Sequence, residues 1–572
     1  MRFDTWELGQ DVDARKALVA GLDGPRTVAG WWHGLVQRHA VRTAIEHRGE
    51  ALTYAALEER SAALARGLLA QGAGKGTRIG LLFPNGIDWV AGWLAIERIG
   101  AIAVTLSTFF AAGELRYAVR HGDVAILLSA GGYLRHDYRA RMEEAFPELS
   151  SVRGDAPLML ADCPYLRSVW FDTADRPAWS HGTLDDLRAI GRASETASAA
   201  FLAAVEAVTS PADTALLMFT SGSTAEPKAV VHNQFTLVAQ TTRMATMNTI
   251  IPAHTTVGDR TLLTMPFFWV GGFLSMAGGL MLGGTLLCED DHGASNLLRA
   301  IREGKATQFS ASAPLLASIA ALPECRPEDI AGLKLQHVAQ APWFLRDWPH
   351  GGRELAASLG MTESCGPHSG EWIEQRLPEG LEGSQGRVVA GMEYRLVDPE
   401  TGDILPEGAT GELCIRGVGL MEGFYKKLRS DVFDSDGFYH TGDECRIGPD
   451  GHLFVHGRLG GMIKTAGANV SPEEVELALR SIDGVIEAGV FALAHPKRGE
   501  TVTAVVVAHP GSGLTEAGLR EALRALLSVF KIPRHILFMD RDAIPRTPSD
   551  KIRRPALAKL IAEQHPELLR SD

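Results

Sequence analysis

Apolar positions recur along this chain in two alternating rhythms. Leu57, Ser61, Leu64 and Leu68 share one helical face, and Gly72 marks the stop. The continuous apolar run 78–85 comes next and reads as a strand, ended by Pro84-Asn85-Gly86. The spacing then predicts a helix over 87–100 and strands over 101–107 and 124–129. Uninterrupted apolar strands alternating with helices are buried on both faces, which predicts an α/β class built on mostly parallel sheets. Residues 150–212, richer in Asp, Ala and Ser, read as an excursion and linker, and 214–220 as another buried strand.

Near residue 390 the rhythm changes. Residues 392–417 carry short strands and turn dipeptides with no helical period, which predicts a small antiparallel barrel or sheet over 390–457. After 458 it changes again. Ser471-Pro472-Glu473-Glu474 reads as an N-cap, a first-turn proline and a capping-box glutamate. Strand-like 487–494 and 501–508 and helix-like 515–529 come after it, so 462–572 is expected to be a compact α+β domain. The expected division is a large N-terminal domain over 1–457, a connection at 458–461 and the small C-terminal domain.

Charge and cysteine change the picture only by exclusion. The 572 residues carry 56 Lys+Arg against 69 Asp+Glu, a formal charge of −13, which argues against a general nucleic-acid binder. The six cysteines show no CxxC or zinc-ligand spacing, and the charged N-terminus is no signal segment, so reduced thiols in the cytoplasm are expected. The stretch Met265 to Cys288 is uncharged and long enough for a span, but Pro266 and its glycine pairs favour buried core. No transmembrane segment is expected.

Chemistry is suggested by five local patterns. Residues Thr220, Ser221, Gly222, Ser223 and Thr224, with Lys228 beyond, come directly after an apolar strand; backbone N–H groups, hydroxyls and one ammonium together suit phosphate oxygens. No GK[ST] closes the loop, so it is not a Walker A motif. Gly360-Met361-Thr362-Glu363 is weak alone. Asp443, in Tyr439-His440-Thr441-Gly442-Asp443, could accept from a vicinal diol, with Arg458 nearby as a fixed donor. Lys551 sits in a Pro-rich loop near the C-terminus. Each could separately be a solvated turn.

In this order, and over residues 30–560, these motifs resemble the adenylate-forming superfamily of acyl-CoA synthetases, peptide-synthetase adenylation domains and beetle luciferases. The resemblance implies that ATP and a carboxylic acid give an acyl-adenylate and pyrophosphate, and that a thiol, usually of CoA, then takes the acyl group. It makes 220–228 the phosphate loop, although Ala225-Glu226 departs from the usual TSGTTGxPK. Glu363 becomes the magnesium ligand, Thr362 a phosphate contact, and Asp443 with Arg458 the ribose pair. Lys551 becomes the lysine of the adenylation step and Lys464 that of the hinge-proximal motif. Ala466 and Gly467 fall on the loop that approaches the thiol arm. Gln340, Ala341 and Pro342 take the adenine side with Leu359, where the family usually has an aromatic. Gly460 stands at the hinge, commonly Asp or Lys. Pro266-Phe267-Phe268-Trp269 has Trp269 in place of the family's histidine, so Phe268, Trp269 and Phe273 are expected to line an apolar acyl pocket.

The expected activity is therefore that of an AMP-forming carboxylate–CoA ligase using ATP, Mg2+ and coenzyme A, with a mobile C-terminal lid. Delivery to a carrier-protein thiol, and a catalytically silent nucleotide- or acyl-binding protein, are the alternatives. The acid and the oligomeric state, a homodimer included, stay open.

Overall fold

Short β-rich runs between helices assemble into two sheets that share one apolar core. The structure, a computed structural model, describes residues 26–153, 156–220, 227–247, 258–310, 313–331, 333–335, 358–370, 381, 383–459, 461–466, 468–495, 498–546 and 552–569. An eight-stranded sheet has at its centre the parallel strands Thr214–Thr220, Ile102–Thr105, Arg78–Leu82, Ile126–Ser129 and Ser168–Phe171. Every residue of Ile102–Thr105 and Ile126–Ser129 is buried, as expected of strands covered on both faces. Lys228–Asn233 adds antiparallel to Thr214–Thr220, and Gly423–Phe424 extends that edge.

The second sheet runs Lys334–Leu335, Gln308–Ser310, Arg260–Leu263, Thr285–Cys288, Thr43–His47 and Glu50–Thr53. It is parallel except for its last pair. The uncharged stretch forms the helix Val270–Met281 and the strand Thr285–Cys288, both inside this core. No helix among the described residues is long and apolar enough to cross a membrane.

The expected linker 150–212 is instead structured. It supplies the strand Ser168–Phe171 and the helix Leu184–Ala193, which packs against the helix Tyr54–Ala70. That contact is backbone-close. A Cβ on Gly67 would lie 2.1 Å from the Leu187 carbonyl oxygen, and one on Gly191 2.1 Å from that of Ala63.

Met392–Val397, Thr410–Gly417, Tyr439–Ile447 and Leu453–Arg458 form the antiparallel sheet expected from the turn-rich segment. A fourth major sheet lies near the C-terminus: Ala468–Val470, Ile463–Thr465, Gly499–Ala508 and Val485–His495, with His535–Phe538 parallel to Gly499–Ala508. One of its apolar clusters contains Val475, Leu479, Leu519 and Leu523, and a second contains Ile544, Leu557 and Ile561. Ser471 caps the helix Pro472–Arg480 as expected, through the Glu474 N–H. The Glu474 carboxylate does not close a capping box; it reaches Lys531 at 2.6 Å. The helix expected over 515–529 ends at Leu523, and a 3-10 turn, Val529–Lys531, lies beyond it.

Candidate active site

The strands Thr214–Thr220 and Lys228–Asn233 pair in register, with Thr220 opposite Lys228. The two ends of the hydroxyl-rich loop are thereby pinned to one rigid sheet edge, and the Tyr117 hydroxyl donates to the Pro227 carbonyl at 3.1 Å. Thr220 Oγ1 is buried without a hydrogen-bond partner among the described residues. A buried hydroxyl left unpaired is costly, and here it borders a cavity.

The turn carrying Thr362 and Glu363 is held from three sides. His232 Nε2 lies 2.8 Å from the Thr362 carbonyl, the Gln240 amide donates to the Ser364 carbonyl at 2.6 Å, and the Met421 N–H donates to the Glu363 carbonyl at 2.7 Å. Burial pushes the His232 imidazole down to about 4, so the neutral ring serves as a fixed donor. Asp443 and Arg458 face each other across paired strands, with Arg458 Nε 2.7 Å from Asp443 Oδ1. Asn85 fixes the aromatic segment: its Nδ2 donates to the Met265 carbonyl and its Oδ1 accepts from the Phe267 N–H, both at 2.8 Å.

These pieces surround one cavity of about 310 Å³. Thr220, Leu359, Gly360, Met361, Thr362, Glu363, Asp443, Arg458, Lys464, Phe268 and Trp269 all line it. Lys228 stands beside the wall, its ammonium 5.0 Å from the Phe424 ring centre. Burial lowers the Lys228 ammonium from its usual range, against the pull of Glu363. Burial raises the Glu363 carboxyl, with Arg458 and Lys228 drawing it back and Asp443 adding to the rise. A partly buried carboxylate beside a second one, in a wall of hydroxyls, is a hard oxygen donor set. It fits a magnesium ion held by one carboxylate and substrate phosphates.

A second cavity, of about 790 Å³, shares Trp269, Ala468 and Phe530 with the first. Ala466, at a left-handed φ of 48°, lines this second cavity, as do Arg498, Arg520 and Arg534. Phe273 is a correction: it lines neither cavity. It is fully buried in the core, its ring 5.1 Å from Trp93 and 6.3 Å from Trp89. The helix Val270–Met281 presents Val270 to the cavity and turns Phe273 inward. Ser221, Gly222, Ser223, Thr224, Gln340, Ala341, Pro342, Gly460, Gly467 and Lys551 lie outside the described residues.

Several wall residues escaped the motif reading. Thr105 ends an ordinary buried strand, and Ser107 and Phe110 lie in the connection just beyond it. Ser528, Phe530 and Lys531 come from the 3-10 turn near the C-terminus and its N-cap. The signal that could have found the first group is position: ligands in open α/β sheets bind beyond the carboxyl ends of the strands.

A family model described as AMP-binding enzyme matches residues 33–425, and the AMP-binding enzyme C-terminal domain matches 474–551. The chain is 28% identical to a 4-coumarate–CoA ligase of Humulus lupulus over 529 residues, covering 90% of each chain. It is 28% identical to the mitochondrial medium-chain acyl-CoA ligase of Rattus norvegicus over 563 residues, 95% of this chain and 88% of that one. Among solved structures, the o-succinylbenzoate CoA synthetase of Bacillus subtilis matches with a TM-score of 0.70 at 22% identity, covering 92% of this chain and 97% of that one. An amide bond synthetase from Marinactinospora thermotolerans matches with a TM-score of 0.72 at 22% identity, covering 93% and 99%. The chain belongs to the family of AMP-binding enzymes, within the adenylate-forming superfamily, and is an AMP-forming acid–thiol ligase.

Proposed function

We propose that the chain activates an apolar or aromatic carboxylic acid with ATP and passes the acyl group to coenzyme A. The observation that carries this reading is the convergence of Thr362, Glu363, Asp443, Arg458 and Lys464 on one cavity with an aromatic wall. A carboxylate is a poor electrophile, and linking it to AMP supplies a leaving group. In the first step a carboxylate oxygen attacks the α-phosphorus and pyrophosphate departs. Thr220, Thr362 and the loop 221–226 are assigned to the phosphates, Asp443 with Arg458 to the ribose and Leu359 to the adenine side. Glu363 would hold Mg2+, which when bound neutralises phosphate charge. Lys551 is assigned to hold the two anions together in the first step. In the second step the CoA sulfur attacks the acyl carbon and AMP leaves; the larger cavity, with Ala466 and three arginines at its wall, suits the approach of that thiol and its phosphates.

Phe110, Phe268, Trp269 and Val270 give the acid an apolar wall, which contributes roughly 25 cal/mol per Å² removed from water. The relatives named for 4-coumarate and for medium-chain acids lie on the same side of that choice. A reducing cytoplasmic setting suits the six unbridged cysteines. Pyrophosphate release across a panel from acetate to decanoate and 4-coumarate, with Mg2+, is the test. Highest turnover with acetate sinks the pocket assignment, and no release with any acid sinks the activity. Adding CoA or a carrier protein then identifies the acceptor.

A further inference from the structure

The lid sheet touches the body through a small buried ionic knot that the proposed chemistry does not use. Glu114 lies in the first turn of the helix Ala112–His121 on the body. Its Oε2 accepts from the Ala111 N–H at 2.8 Å and from the Ser528 hydroxyl at 2.5 Å. Its Oε1 lies 2.7 Å from the Lys531 ammonium, which also reaches Glu474 at 2.6 Å. All three charged side chains are almost wholly buried, at 5%, 5% and 6% exposure for Lys531, Glu114 and Glu474. Backbone contact accompanies the knot: a Cβ on the neighbouring Gly113 would sit 3.4 Å from the Ala525 carbonyl oxygen. Phe530 packs on Phe109 of the body at 6.1 Å between ring centres.

This docking has an orientation. Seated this way, the lid turns Lys464, Ala468 and Asn469 into the cavity that holds Glu363, Asp443 and Arg458. Lys531 and Glu474 belong to the same lid and stay together however it moves. Glu114 alone belongs to the body, so turning the lid strips it of both Lys531 and Ser528. A buried carboxylate that loses its ammonium is strongly disfavoured unless it returns to water. We infer that Glu114 and Lys531 are positioning residues that latch the lid in the orientation presenting Lys464, the one suited to thioester formation; this rests on the functional reading above.

The test measures lid position without turnover. Spin labels at Val41→Cys and Glu563→Cys, both exposed sites, are placed on body and lid in a Cys325→Ser background, since the other five cysteines are buried. Wild type is expected to show a dominant interlabel distance matching this orientation. Glu114→Gln and Lys531→Met should each reduce that population at least five-fold, and Lys531→Arg should restore most of it. Melting temperatures within a few degrees of wild type show that the fold is kept. An unchanged distribution in Glu114→Gln, or a wild type lacking this distance, overturns the latch. A second arm uses 4-coumarate as the probe acid. Glu114→Gln should keep pyrophosphate release within two-fold of wild type and lose thioester formation at least ten-fold; equal loss in both counts against the latch. If wild type releases no pyrophosphate from any acid in the panel, the functional reading fails while the distance arm still decides the latch.

Discussion

At the scale of single residues, the proposed function assigns different steps to two lysines. Lys464 lines the cavity, and on the proposed assignment of Lys551 to the first step, Lys551→Ala should lower pyrophosphate release on the order of 10²–10³-fold. It should still convert supplied acyl-adenylate to thioester. Lys464→Ala should spare the first step and slow the second, and single-turnover assays of each half-reaction distinguish the two. A second residue-scale expectation concerns acid stability. His232 takes up its proton near 4 when folded, against an ordinary value of 6.5. The unfolded chain therefore binds more protons between these values, so the contribution of neutral His232 is complete above about 6.5 and is lost as pH falls toward 4. The loss is about 1.4 kcal/mol per pH unit. His232→Gln keeps a donor for the Thr362 carbonyl without the titration. Urea unfolding at several pH values should show a shallower decline on acidification in the variant than in wild type; parallel curves would contradict the assignment. That Glu363, Asp443 and Arg458 belong to a candidate site was legible at this scale, because each sits in a short local motif, and all three line one cavity. Phe273 was not, because spacing alone could not tell which face of its helix met the cavity.

Among elements, the helix pair Tyr54–Ala70 and Leu184–Ala193 depends on two glycines. Each lacks the Cβ that would strike the other helix's backbone at 2.1 Å. Backbone cannot yield as a flexible side chain can, so Gly191→Ala should separate the helices and destabilise the body by about 1–3 kcal/mol. Denaturant unfolding checks this, and a midpoint unchanged from wild type would show that the helices can slide apart without cost. This pair also shows where pattern reading ran short. The alternation over 57–129 was plain because each strand is a continuous apolar run. The strand Ser168–Phe171 is only four residues long and opens on a polar serine, in a stretch of Asp and Ala that reads as linker. Its membership in the sheet is decided by partners distant in sequence, Ile126–Ser129, which no local window contains. The helix expected over 515–529 overran for the opposite reason: apolar Leu526, Leu527 and Val529 continue the rhythm into a turn that docks on the body.

For the whole molecule, motion of the lid is the central expectation. Gly461 holds a φ of 68°, in the left-handed region, and follows Gly460 in sequence, where we propose the hinge. Gly460→Pro would fix φ near −65° and favour one lid position. The two half-reactions should then lose unequal factors, and equal losses would argue against a pivot here. The lid sheet bears on a different question, that of folding independence. One apolar cluster, around Val475 and Leu519, and a second, around Leu557 and Ile561, belong wholly to the C-terminal part of the chain. A sheet that brings its own cover needs little from its neighbour in order to form. The chain should therefore behave as two cooperative units, and calorimetry should resolve two transitions rather than one. By the same logic the gene could be cut between the units and both halves expressed separately. The severed C-terminal piece would fold unaided, and thioester formation would become a bimolecular property, rising with its concentration until the body is saturated.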